Sequence, residues 1–540
     1  MLSIKQFVSM IVVLLSSLAV HAQWGWGAWD NWPPDDENVR LTQTNLPIVF
    51  MNVDGEMIDR YERITARMKI IDNGEGNLNY ADTVAHPGQN IDYEGYIALR
   101  YRGNSSYSSS DKKPYSFRTL DAPLEQDGQK VKVKIMGMPK DNNWAMLAPY
   151  SDKSMMRDVL AFELSRQWMG WTPRARFCEL ILDGTYYGVY VMTEVVSKGK
   201  HRLDLDDPGT EGDALTGGYL MEVDRNDETT HRSKYHPVNN QGTNFWSRYV
   251  YFQYKWPDYE DMTAEQINYI NGQIDRMEDA FAASNYKDPE QGYRKYIDPM
   301  SFVDYQLAQE FVHNVDAYRL SGKFYKNRDS IDTRFKMALW DMNLAYGNSD
   351  YYNGWATNTW VYQNNPTLNS NNDSQLVPFW WYKLNTDEYY TNLVKQRWAQ
   401  YRRANFSEDR IMALVDSMAT LLTVQGAEAR NSKAWPRWGQ YVWPNKYISQ
   451  NFDDEIQYLK GWLSDRLAWM DQQLGYDPDA LVTGDITGDG KVDVSDVNAV
   501  INIMLGKAQA SDFPGDSDVN DDGMVDVSDV NIIINLMLGK

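Results

Sequence analysis

The chain opens on a short apolar run from Phe7 to Val20, preceded by Lys5 and followed by His21-Ala22-Gln23. A basic start, a short apolar stretch and small residues before a break predict a secretory leader over 1–22 that is removed after Ala22. The run falls short of the roughly 20 apolar residues that a bilayer span requires. Residues 23–44 are rich in Trp, Gly and Pro with no apolar period, which predicts an arm outside any core. From Leu46 the pattern predicts strands near 47–53, 64–71 (where a helix fits equally well) and 96–101. The runs Ala175–Leu182 and Tyr186–Thr193 flank Asp183-Gly184, a hairpin turn signal. A helix is expected over Ser154–Trp168, from apolar residues at three- and four-residue intervals. Strands around a single helix predict an α+β lobe over about 45–225. Beyond it Thr263-Ala-Glu-Gln266 is a capping-box signature for a helix reaching about Ala283. Further helical periods cover Ser301–His313, Thr386–Tyr401, Ser407–Gln425 and Asp453–Gly475. A strand-rich lobe followed by a helix-rich one, about 226–478, predicts a bilobal α+β layout with a site in its cleft.

The last sixty residues carry a different pattern. Val492–Lys507 and Val525–Lys540 agree at thirteen of sixteen positions, with an offset of 33 residues, so the segment is an internal duplication. Each copy begins with an oxygen-rich loop of twelve residues. In the first, positions 1, 3, 5, 9 and 12 are Asp485, Thr487, Asp489, Asp493 and Asp496, with Gly490 at position 6 and the backbone carbonyl of Lys491 at position 7. In the second they are Asp518, Asn520, Asp522, Asp526 and Asp529, with Gly523 and the carbonyl of Met524. Calcium needs six to eight hard oxygen ligands, and this spacing wraps them around one ion while the glycine makes the turn. Magnesium demands tighter octahedral geometry and fits less well. The weakest ligand is Thr487. Apolar stretches at Val497–Leu505 and Val530–Leu538 predict one short helix after each loop, an all-α module over 480–540 binding two calcium ions.

Composition adds limits. The net charge of −22 argues against nucleic acid and anionic membranes as partners, since both would repel the chain. No later segment is long and apolar enough for a membrane span. The single cysteine, Cys178, cannot close an internal disulfide, and its place in an alternating run marks it as a buried strand residue.

The paired loop–helix with Asp at position 12 resembles the type I dockerin family. That resemblance implies docking onto a cohesin domain, with loop positions 10 and 11 (Val494 and Ser495, then Val527 and Ser528) helping to choose the partner. The near-identity of the copies would permit two binding orientations. Four further stretches, taken in order, resemble the CotH (spore-coat protein H) kinase-like family. They are Leu99–Ser106 with Lys112–Arg118, Asp152–Asp158, Leu182–Glu194, and Asn314–Tyr318 with Trp340–Asn343. The resemblance implies an atypical protein-kinase-like fold over 45–478 and, in some members, transfer of phosphate from ATP to secreted proteins. Such transfer needs positioning, a metal such as Mg²⁺ or Mn²⁺ on the phosphates, and a carboxylate that orients the acceptor hydroxyl. Asp316 matches the family's catalytic-loop Asp and Asp341 its metal-binding Asp. Lys112 or Lys113 would neutralise ATP phosphates, only one of the two facing the cleft because alternation separates them. Arg102 and Arg157 are further phosphate-contact candidates, and Glu194 falls where the inter-lobe hinge would begin. The chain departs from the pattern at Ser321, where kinases commonly place an Asn five residues after the catalytic Asp. It departs again at Asn343, where many relatives carry a second Asp.

The expected function is a secreted phosphotransferase acting on a protein or other extracellular acceptor, tethered by its dockerin to a cohesin-bearing complex. One alternative is a non-catalytic kinase-like scaffold or binding component. Another is a carbohydrate-active protein of polysaccharide breakdown, with tryptophans such as Trp380-Trp381 as sugar platforms.

Overall fold

The computed structural model describes residues 39–540, apart from 228, 405, 478–481, 489, 514, 521 and 540. The leader, nearly all of the Trp-rich arm and Asp489 therefore lie outside the described residues. The chain divides into two compact units. One comprises the described residues up to Val159 with Pro173–Val195 and Ser417–Ile456; the other comprises Leu160–Thr172, Val196–Asp416 and the described residues from Gln457.

The first unit is built on seven strands. In chain order they are β1 (Ile48–Asn52), β2 (Ile64–Ile71), β3 (Ile91–Tyr101), β4 (Tyr115–Leu120), β5 (Asn143–Leu147), β6 (Ala175–Leu182) and β7 (Thr185–Glu194). They close into a barrel in the order β6-β7-β5-β4-β3-β2-β1. Every pairing is antiparallel except the last, in which β6 runs parallel to β1 with Leu180 opposite Val49. Closure removes the exposed edges that an open sheet of this size would leave. Alternate residues of each strand, among them Met51, Met68, Leu99, Phe117, Trp144, Cys178 and Met192, fill the interior. Burial pushes the Cys178 thiol up to about 12, so it packs as a small apolar side chain. The expected hairpin joins β6 to β7, and Asp183 and Gly184 both take positive φ. The Asp183 carboxylate also accepts from the backbone N–H of Val53 at 2.8 Å, tying the turn to the end of β1.

A short helix, α6 (Ala427–Ala434), returns to this barrel. Its Arg430 forks onto buried Glu179 at 2.8 and 2.7 Å. Its Asn431 Oδ1 accepts from the Val189 N–H at 3.1 Å. That approach is possible only because residue 188 is Gly. A Cβ there would lie 2.5 Å from Asn431 Oδ1, and its φ is +94°.

The second unit carries a five-stranded antiparallel sheet. Its strands are β8 (Tyr219–Asp224), β9 (His231–Arg232), β10 (Tyr251–Trp256), β11 (Gly322–Lys326) and β12 (Lys336–Ala338), in the order β9-β10-β8-β11-β12. Helices α2 (Ala264–Ala282), α3 (Pro299–Val312) and α4 (Glu388–Arg403) belong to the same unit; the other longer helices before the C-terminal module are α1 (Arg157–Ser165), α5 (Glu408–Thr423) and α7 (Phe452–Leu474). Helix α2 starts at the expected box, in which Thr263 and Gln266 exchange side-chain bonds with each other's backbone. Helix α3 is capped by the Asp298 side chain, has Pro299 in its first turn and is buried along nearly its whole length. Phe302, Tyr305 and Tyr318 pack against Trp381 at centroid distances of 5.5, 5.8 and 4.5 Å. Trp380 and Trp381 are core residues, 0% and 1% exposed, and this corrects their reading as sugar platforms.

The C-terminal module folds around its own small core of Ile486, Ala499, Val500 and Ile533. Its helices, α8 (Val494–Met504) and α9 (Val527–Met537), each begin three residues before the expected apolar stretch. The ninth loop residue, Asp493 or Asp526, caps the helix and extends it into the loop.

Candidate functional site

Asp316 and Asp341 lie in the second unit, and the local backbone brings them together. Helix α3 ends at His313, whose φ of +50° turns the chain out of the helix. Tyr318, Ser321 and Asp341 also hold positive φ, of 70°, 52° and 66°. Left-handed backbone at non-glycine residues is unfavourable, and such positions gather where the surroundings over-determine a geometry. Asn314 supplies part of that constraint. Its Nδ2 donates to the Asp341 carbonyl at 3.0 Å, and its Oδ1 accepts from the Asp316 N–H at 3.2 Å. One amide thus couples the two segments that carry the aspartates.

The Asp316 carboxylate accepts from Arg319 at 2.6 Å, and the same guanidinium binds Asp373 at 2.9 Å. Arg319 is buried, whereas Asp316 keeps about a fifth of its side chain open (21%). Burial, and next the Asp316 charge, push the Tyr351 phenol up. Ser321 Oγ donates to Asp341 Oδ2 at 3.2 Å. Its backbone N–H donates to Asp224 Oδ2 at 3.3 Å. Ser321 therefore stands between two carboxylates.

Asp224 escaped the sequence reading. It closes β8, a strand without polar alternation, so nothing local marked it. Burial, and next the Glu222 charge, push its carboxyl up. Glu222 itself is buried, yet Lys323 and Lys255 outweigh the burial and hold it at about 2. The Lys255 contact is 2.7 Å long. Asn343 is half-buried, and its carbonyl accepts from Asn348 at 2.9 Å.

The remaining candidates lie in the first unit, each in local contacts. Lys112 is fully buried; its Nζ donates to the Val189 carbonyl at 2.5 Å and to Asn431 Oδ1 at 2.8 Å, and lies over the Tyr190 ring. Burial holds its amine well below the usual lysine range. Lys113 Nζ donates to the Tyr107 carbonyl at 2.6 Å. Arg157 is buried between Asp152 at 2.6 Å and Glu455 at 2.8 Å. Glu194 is bound by Arg174 at 2.8 Å. Arg102 follows β3, with its backbone N–H on the Pro114 carbonyl at 3.0 Å.

In the C-terminal loops, Asp485 accepts from the N–H groups of Gly488 and Gly490 at 2.7 and 2.8 Å. Asp496 accepts from the N–H groups of Thr487 and Asp493 at 2.9 and 2.8 Å. In the second loop Asp518 accepts from Gly523 at 2.7 Å, and Asp529 from Val519 at 2.7 Å and Asp526 at 2.8 Å. Among the described residues no three His, Cys, Asp or Glu side chains form a group ready to hold a metal. The donor chemistry nevertheless fits calcium. Asp496 and Asp529 are both fully buried, and among the described residues no lysine or arginine pairs with either. A buried carboxylate without a counter-charge is costly, and one cation seated in each loop would compensate the pair.

The family model for CotH kinase protein matches residues 99–470, more than half of the chain. The chain belongs to that family. Residues 483–538 match the dockerin type I domain. Type I dockerins bind calcium and pair with cohesin domains in extracellular complexes. No curated protein matches the chain. No helix among the described residues is long and apolar enough to cross a membrane.

Proposed function

We propose that this is a secreted protein that transfers the γ-phosphate of ATP to an extracellular acceptor, held in a cohesin-bearing complex by its dockerin. The observation that supports the transfer most is the coupling of Asp316 and Asp341 through Asn314, with left-handed backbone at Asp341 and Ser321. In this reading Asp316, oriented by Arg319, accepts the proton of the acceptor hydroxyl. Asp341 and Asp224, on either side of Ser321, would hold the divalent cation that screens the nucleotide phosphates. Asn343 would contribute an amide oxygen where a carboxylate is the commoner choice. The dockerin reading rests on the buried Asp496 and Asp529, with Asp485, Asp493, Asp518, Asn520, Asp522 and Asp526 as further calcium ligands. Thr487 and the carbonyls of Lys491 and Met524 would complete the sets. Val494 and Val527, and likewise Leu505 and Leu538, are about 60% exposed at equivalent positions of the two copies. An apolar face repeated in this way suits a cohesin partner bound in either of two orientations.

A second reading, a kinase-like scaffold without turnover, draws on Ser321 and on the Arg319 pair that already satisfies Asp316. Transfer of labelled γ-phosphate with Mg²⁺ and with Mn²⁺ separates the two. Wild type is expected to label itself or an added protein, and Asp316→Ala and Asp341→Ala to lose at least about a hundredfold of that rate. No labelling by wild type, with no nucleotide-induced thermal shift, would leave the scaffold reading.

A further inference from the structure

On the outer face of the barrel three clustered arginines form no ion pair among the described residues, although the chain as a whole has a net charge of −22. Ile97 and Leu99 of β3 and Tyr115 and Phe117 of β4 point into the core, so Arg100, Ser116 and Arg118 stand on the opposite face. Arg100 pairs with Ser116 and Ala98 with Arg118 across the ladder. Arg100 and Arg118 are thus diagonal neighbours, with Cα atoms about 7 Å apart. Arg63, just before β2, reaches over the same strands. It donates to the Ala98 and Ser116 carbonyls at 2.8 and 3.1 Å, and to Ser116 Oγ at 3.1 Å.

Among the described residues none of the three forms an ion pair. The neighbouring carboxylate, Glu125, accepts from Thr65 Oγ1 at 2.8 Å instead. Arg100 donates to the Tyr61 carbonyl at 3.0 Å, and all three side chains are half-buried. Burial, and next the charges of Arg100 and Arg118, bring the Arg63 guanidinium down to about 9. Like charges crowded on a half-buried face cost free energy unless something negative meets them.

We infer that Arg63, Arg100 and Arg118 form a binding site for a phosphate-type dianion. Planar guanidinium forks match the oxygens of such a group, and Ser116 Oγ adds a neutral donor beside them. Two sources share this chemistry: the polyphosphate of a nucleotide, and a phosphate that is free or borne on a protein. Only the first rests on the phosphotransferase reading.

Titration calorimetry of the full-length calcium-loaded protein with inorganic phosphate, and then with pyrophosphate, tests the site. Wild type is expected to bind pyrophosphate more tightly than phosphate, and more weakly as salt is raised. Arg100→Gln and Arg118→Gln are each expected to weaken binding about tenfold or more, by loss of one charge-assisted contact. Arg176→Gln, an exposed arginine elsewhere on the barrel, is the control and should bind as wild type. The dockerin is identical in all variants, so calcium sequestration by the anion cancels. Without anion, Arg118→Gln should melt no lower than wild type, because it relieves repulsion. Failure of wild type to bind pyrophosphate, or equal affinity in Arg118→Gln, overturns the site whatever the outcome of the γ-phosphate assay. Displacement of pyrophosphate by metal-free ATP assigns the nucleotide as source; binding that ATP leaves intact assigns phosphate on another carrier.

Discussion

Glu278 should make the stability of the second unit depend on pH in a defined direction. It lies in the last turns of α2, fully buried, with both carboxyl oxygens on Ser233 Oγ at 2.8 and 2.7 Å. A neutral carboxyl can satisfy that geometry fully, since its O–H donates to the serine while its carbonyl oxygen accepts. The charged groups nearby are Asp275, Asp279 and Lys234, and Lys234 is spent on the two aspartates at 3.0 and 3.6 Å. Burial pushes the Glu278 carboxyl from 4.5 up to about 8. In the folded protein it stays protonated below that point, whereas in the unfolded chain it ionises above 4.5. Its contribution is therefore fully present below the unfolded value and is lost as pH rises through the folded one. At about 1.4 kcal/mol per pH unit the whole displacement amounts to at most about 5 kcal/mol, most of it gone by pH 8. Glu278→Gln keeps the shape and the serine bond but cannot ionise. Urea midpoints of wild type and Glu278→Gln, followed from pH 4.5 to 9, should coincide at the acid end and diverge by a few kcal/mol at the alkaline end, with the variant the more stable. Parallel curves across that range would show that Glu278 is ionised in the folded protein, and the burial argument would fail.

Two further outcomes are expected. Arg157→Met should lower the urea midpoint of the first unit by the equivalent of about 3–5 kcal/mol, because it leaves Asp152 and Glu455 buried without their shared cation. A loss below about 1 kcal/mol would mean that water reaches those carboxylates. Chelation of calcium should unfold residues 483–538 and abolish cohesin capture, with protease cuts appearing there first. The transitions of the other units should stay in place, so a single melt unchanged by EDTA would contradict the proposed loop ligands.

Five of the seven barrel strands were readable from alternation and turn chemistry, their closure into a barrel was not, and the Asp183-Gly184 hairpin formed where expected. The segment Ile64–Ile71 fitted a helix equally well, and only its partners decide it, with Ile70 against Val49 on one side and Tyr93 on the other. Strands β5 and β8–β11 went unseen for a related reason. β8 is buried on both faces, with Glu222 neutralised by two lysines, so it shows no alternation, and its β11 partners, such as Lys326 opposite Tyr219, lie far along the chain. Asp224 was hidden with it. The dockerin was readable from its duplicated loops, and the family model covers residues 483–538, because calcium-loop spacing recurs in sequence in a way that core packing does not.

Motif residues and available charges are different things in this fold. Lys112 and Arg157 stand in the stretches that resemble the family, yet each is buried in contacts that consume its donors. A lysine held by one carbonyl, one amide and one ring cannot turn toward a phosphate without leaving those groups unsatisfied, at a cost of about 1–3 kcal/mol each. Arg157 would have to abandon two carboxylates. Arg63, Arg100 and Arg118, by contrast, form no ion pair among the described residues and lie on a half-buried face, the last two inside the same motif stretches but on residues the motif reading passed over. If phosphate contacts come from this unit, a guanidinium that reaches solvent and keeps N–H donors to spare is better placed to supply them than a wholly buried amine. That ranks the barrel-face arginines ahead of the buried lysine, and Arg118→Gln against a Lys112→Met variant, each scored for phosphate binding and for folding, decides the order.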